Sequence, residues 1–95
     1  RQMAFLSHLA FTLSIAYAQT VRPFADPRLG GPGFRGMVRL AEGDPTLYED
    51  ITATNRGPLV EAIDRFAEVL HDYRDRIDRG DRVGELFAQG AHAAH

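Results

Sequence analysis

There is no cysteine in these 95 residues. Disulfide staples and thiolate metal sites are therefore excluded, and the redox compartment is left open. There is no lysine either; all eleven basic residues are arginine, whose planar fork grips a carboxylate bidentately as an ammonium cannot. An excess of positive charge is also missing. The formal net charge is -2, so no nucleic-acid partner is expected. No stretch alternates apolar and polar residues with the period of a strand, and there is no internal repeat or low-complexity tract. A chain of this length makes at most one small domain with a modest core, which dimerisation or docking onto another domain would complete. It opens on Arg1 rather than methionine, as expected of the tail of a longer protein or of a processed product.

Charge is absent again from residues 3–21, MAFLSHLAFTLSIAYAQTV. Met3, Phe5, Leu6, Leu9, Phe11, Leu13, Ile15 and Tyr17 cover most of a helical circumference. They predict a helix over 2–20 that is buried on several sides or lies in a membrane. The length is near that of a membrane span. Ala16-Tyr17-Ala18 also fits a leader-peptidase site, with a mature form starting at Gln19. Against lipid stand Ser7, His8, Thr12 and Ser14, which cost little in a buried helix that offers partners and more in a bilayer. His8, Thr12 and Gln19 lie near one face, with Ser7 beside them.

Residues 22–34, RPFADPRLGGPGF, hold three prolines and three glycines and read as a loop. A short helical turn is expected near Met37 to Glu42. Asp44 and Pro45 then mark a helix start, as N-cap and first helical residue, with Leu47 and Ile51 facing inward. Asn55 can cap, and Gly57-Pro58 suits a first turn better than a helix interior. From there Leu59, Ile63, Phe66, Leu70, Tyr73 and Ile77 recur at spacings of four and three, the seam of a helix of about 20 residues. The opposite face, Glu61, Asp64, Arg65, Glu68, Asp72, Arg76 and Asp78, reads as a solvated surface. Gly80 stops this helix, Asp81 restarts a last short one through Val83, Leu86 and Phe87, and the tail AHAAH reads as frayed. The fold class is all-α, with about five helices.

Some signals mislead. Gly31-Pro32-Gly33-Phe34-Arg35-Gly36 is a literal G-x-G-x-x-G, but no strand precedes it and no βαβ unit surrounds it, so it reads as a turn between helices. His92 and His95 lack a carboxylate framework, so no metal is expected. His71 falls on the polar side of the long helix. Two features carry more. His8 sits on an otherwise apolar helix, either as a core histidine with a local partner or as a site residue. Arg35 and Arg39, four apart around a glycine-rich turn, can gather guanidinium forks and backbone N–H groups for an anionic ligand, or can pair with Glu42 or Asp44 on the surface.

Three stretches together resemble the C-terminal helical domain of prephenate dehydrogenases, over about residues 2–90. FLSHLAF at 5–11 is similar to the family's helix with a Ser-His-Leu-Pro-His motif. GGPGFRGMVRLAEGDPTLYEDI at 30–51 is similar to its glycine-rich turn, its Gly-Phe-Arg/Lys-Asp-x-x-Arg motif and its Asp-Pro-x-x-Trp/Tyr-x-Asp-Ile helix start. NRGPLVEAIDRF at 55–66, ending in RGD at 79–81, is similar to the long helix that follows.

The resemblance implies a dimerising, substrate-binding domain over residues 1–95 of a cytoplasmic enzyme of tyrosine biosynthesis. It makes the uncharged first helix the central buried helix of that domain, with no membrane partner. It implies that Arg39 binds a substrate carboxylate, that His8 lies by the substrate pocket and that Tyr48 is an aromatic near the site whose main job is packing. The substrate would be prephenate or arogenate. NAD or NADP, and the catalytic histidine, would belong to an N-terminal Rossmann domain absent from this chain, leaving the chain inactive alone but able to form a homodimer.

Two positions depart from the family pattern: Phe11 stands where a second histidine is common, and Gly36 where an acidic residue is common. Either this branch uses another constellation or its substrate preference differs. A non-catalytic helical homodimerisation module fits the heptad seam equally well. An all-α mutase of the chorismate type does not, since it needs charged site residues on its first helix and none lies between Arg1 and Arg22.

Overall fold

The computed structural model describes residues 1–94. A π-helical turn, Ala4–His8, leads into α1 (Leu9–Val21). A 3-10 turn at Pro27–Leu29, α2 (Pro32–Arg39), a second 3-10 turn at Leu40–Glu42, α3 (Pro45–Thr54), α4 (Arg56–Asp78) and α5 (Gly84–Ala93) follow. No strand occurs among the described residues, so the all-α class holds. The chain divides into two units, Arg1–Ile63 and Asp64–His95, with the boundary inside α4.

In the first unit, helix runs from Gln2 to Val21, as the apolar pattern predicts. Its opening turn is wider than an α-turn: the Leu9 N–H bonds the Ala4 carbonyl five residues back. Such single-turn bulges recur where a helix carries a functional side chain. α1 packs against α2 and the 3-10 turn behind it. Ser14 is fully buried in that contact, and its hydroxyl donates to the Met37 carbonyl on α2. A hydroxyl on an apolar helix is thereby satisfied by protein. At the other end of the helix, Arg1 Nε meets Glu61 Oε1 on α4 at 2.8 Å.

The fully covered core of this unit is small: Ala4, Ser14, Leu59 and Ala62. The burial expected on several sides of the first helix is not realised within one chain. Leu6 is 75% exposed and Met3 56%. The stretch Ala4–Val21 is long and apolar enough to cross a membrane, and 11% of it is buried.

The loop expected as far as residue 34 ends earlier, at Gly31. Pro32 occupies the first turn of α2, where its missing N–H costs nothing. Phe34 lies over Gly30, whose absent Cβ leaves room for the ring, and faces Tyr17 at 6.1 Å between centroids. That packing offsets the poor helix propensity of Gly33 and Gly36. The 3-10 turn Leu40–Glu42 is the end of this helix. α3 begins as its sequence signals: the Asp44 carboxylate accepts the Thr46 N–H at 2.9 Å, and Pro45 follows it.

In the second unit, Tyr73 of α4 meets Phe87 of α5 with centroids 5.8 Å apart. Further along the seam, Leu70 and Ile77 are more than half exposed. The solvated face is as expected. Arg76 bonds Asp72 at 3.0 Å one turn away, and Arg74 bonds Asp75 at 2.9 Å and holds its carboxyl below the usual carboxylate range. Gly80 ends α4 at φ 79°, a left-handed conformation natural to glycine. The Gly80 N–H returns to Ile77 and the Asp81 N–H to Arg76, closing the helix in a Schellman motif. Asp81 does not start α5. Arg79 holds its carboxylate at 2.9 Å, and the helix begins at Gly84 after Val83. The tail expected to fray from Ala91 stays helical to Ala93. His95, half of the histidine pair considered for a metal, lies outside the described residues. Among those described, no three His, Asp or Glu groups gather for a metal.

Candidate functional site

His8 closes the π-helical turn and is half-buried. Its backbone carbonyl accepts two hydroxyls, Thr12 Oγ1 at 2.9 Å and Tyr48 Oη at 3.3 Å. Its ring meets the Asn55 side chain, with Nδ2 3.3 Å from Nδ1. Residues 40 and 47 positions apart in sequence thus converge on one histidine.

Tyr48 follows from α3. The Asp44–Pro45 start sets the helix phase, and that phase aims Tyr48 at α1. There its ring stacks on Phe11 at 4.1 Å with a 30° tilt. Burial pushes the Tyr48 phenol above its ordinary value. Phe11 is also pressed against Gly43: a Cβ there would stand 2.5 Å from Phe11 Cε2. Phe11 is thus an aromatic wedge that reaches from α1 between the Gly43 turn and Tyr48.

Ser7, His8, Phe11, Gly43, Asp44, Leu47, Tyr48 and Ile51 line an open cavity of about 120 Å³. Sites for whole small molecules run from roughly 300 to 1,000 Å³. This cavity accommodates a functional group, not a complete ligand.

The structure brings His8 and Tyr48 to one cavity, which Arg39 does not line. Arg39 ends α2, exposed, one turn beyond Arg35 on the same face. Arg35 donates to the Gly30 carbonyl at 3.4 Å. Neither guanidinium pairs with Glu42 or Asp44, whose carboxylate caps α3 instead. Among the described residues, the Arg39 guanidinium makes no hydrogen bond or ion pair. The glycine-rich anion turn expected here is not a turn: Gly33 and Gly36 sit within α2. The residues of the G-x-G-x-x-G spacing therefore form no dinucleotide cradle.

Sequence reasoning missed Asn55 as a partner of His8. Its place before Gly57-Pro58 signalled only a cap. Ser14, one of the hydroxyls expected to find a partner in a buried helix, finds it in the Met37 carbonyl.

Comparison with known proteins follows the same lines. No curated protein matches. Among solved structures, prephenate dehydrogenase from A. aeolicus, in complex with hydroxyphenyl propionate and NAD+, is similar at a TM-score of 0.79 and 25% identity. The match covers 97% of this chain and 34% of that one, so the chain spans about a third of its length. The family model for the prephenate dehydrogenase dimerization domain matches residues 1–89, and the chain belongs to that family.

Proposed function

We propose that this chain is the dimerising and substrate-binding part of an NAD- or NADP-dependent dehydrogenase of tyrosine biosynthesis, one that oxidatively decarboxylates prephenate to 4-hydroxyphenylpyruvate or acts on arogenate. The observation that carries the reading is the fold match over 97% of the chain to a prephenate dehydrogenase, joined to an exposed Arg39 whose guanidinium has no protein partner among the described residues. A guanidinium fork left free clamps a carboxylate with two parallel bonds. His8 and Tyr48 form a second, smaller polar corner against Phe11.

On this reading the nucleotide belongs to an N-terminal Rossmann domain, as the family resemblance implies. This chain's residues bind and orient substrate, and the hydride-transfer machinery lies in a preceding domain. Apolar surface is left open in each unit, at Leu6 of the π-helical turn in the first and at Leu70 and Ile77 of α4 in the second, each more than half exposed, and this supports a homodimer. That surface equally favours a helical homodimerisation module without catalysis.

Assay of the complete polypeptide separates the two readings. With prephenate or arogenate and either nicotinamide, the enzyme reading requires cofactor reduction coupled to loss of carbon dioxide, and none from residues 1–95 alone. A complete polypeptide that dimerises but reduces neither cofactor supports the module.

A further inference from the structure

His8 is held at both its ends. Thr12 and Tyr48 fix its carbonyl, and Asn55 meets the ring. Asn55 is itself fixed on both sides, its N–H bonded to the Ile51 carbonyl at 2.9 Å and its carbonyl accepting the Leu59 N–H at 3.1 Å. The side chain of Asn55 is therefore presented from a rigid corner between α3 and α4. An amide N–H aimed at Nδ1 requires a lone pair on that nitrogen. The neutral ring then carries its proton on Nε2, because the bond made by one nitrogen decides the state of the other. Nε2 has no protein partner among the described residues, and His8 lines the cavity of about 120 Å³.

We propose that Asn55 is a positioning residue that holds His8 as the Nε2–H tautomer, so that His8 offers a hydrogen bond to an oxygen of the ligand, a carboxylate or a carbonyl, and does not act as a base. The ligand's part in this rests on the reading under Proposed function; the tautomer does not.

The test is ring ¹⁵N spectroscopy of the full chain labelled at histidine, recorded about two pH units above the ordinary imidazole value of ~6.5. The expected spectrum shows His8 protonated at Nε2 and bare at Nδ1. In Asn55→Asp the carboxylate accepts from Nδ1–H, and the tautomer inverts. A proton on Nδ1 in the unsubstituted chain overturns the proposal, as does an unchanged tautomer in folded Asn55→Asp. The first reading needs no variant, so a misfolded variant leaves the proposal exposed to refutation. Neither reading uses activity. A complete polypeptide without turnover would defeat the functional reading while leaving the tautomer result standing.

Discussion

Gly43→Ala and Gly36→Ala are the same chemical change and should have opposite effects. At Gly43 the backbone is ordinary for alanine, with φ -68° and ψ 169°, so the backbone contributes no strain. The penalty is steric. The new methyl would stand 2.5 Å from Phe11 Cε2, and that ring cannot withdraw without leaving Tyr48, stacked at 4.1 Å. Forcing an extra methyl into packed side chains costs about 1–3 kcal/mol, and part of that is the aromatic pair, worth about 0.5–1.5 kcal/mol. A domain of this size loses roughly 4–8 °C of Tm per kcal/mol, so the melting point should fall by roughly 4–24 °C.

At Gly36 nothing lies within 4 Å of the added methyl, and the residue sits inside α2. Removing glycine's excess freedom there should stabilise by about 0.5–1 kcal/mol. Thermal melts followed by circular dichroism, at matched protein concentration because a dimer's Tm depends on it, measure both. A Gly43→Ala chain that melts with the parent and keeps its tyrosine near-UV signal would refute the Phe11 wedge.

Other consequences can be checked in the same chain. Asp44→Ala removes the carboxylate that caps α3 through Thr46 and should cost about 1 kcal/mol, read as a lower midpoint in urea. Gly80→Ala forces a side chain into a left-handed φ of 79° and should cost about 1–2 kcal/mol in the same assay. The Tyr48 phenol ionises above its ordinary value because burial disfavours the anion. Its contribution to stability is therefore complete below about pH 10 and is lost as pH rises through the raised value. An absorbance titration should show a late-ionising phenol that Tyr48→Phe abolishes. In sedimentation equilibrium the chain should behave as a species of twice its 10.6 kDa.

Where local chemistry decides, the structure could be read from the residues. Asp44 followed by Pro45 starts α3, and Gly80 ends α4, because a cap and a left-handed turn are properties of a few adjacent side chains. The seam from Leu59 to Ile77 lies on one helix, since periodicity survives any tertiary context. What failed depended on contacts between distant residues. Pro32 to Phe34 reads as loop by composition, yet Phe34 against Tyr17 and Gly30 makes it helix. Asp81 reads as a helix start until Arg79 takes its carboxylate. In the site, His8 stands out as a histidine on an apolar helix, and Tyr48 by family resemblance alone. Asn55 does not, because its partner lies 47 residues away and its neighbours describe only a helix boundary. The first helix reads as buried, but its cover is not supplied by this chain alone.

As proposed above, Arg39 holds a substrate carboxylate. The most direct test is the steady-state kinetics of Arg39→Ala in the complete enzyme. Loss of a charged hydrogen bond worth about 1.5–3 kcal/mol should raise KM roughly 10- to 150-fold while kcat changes little. A variant whose KM equals that of the parent enzyme would contradict the account.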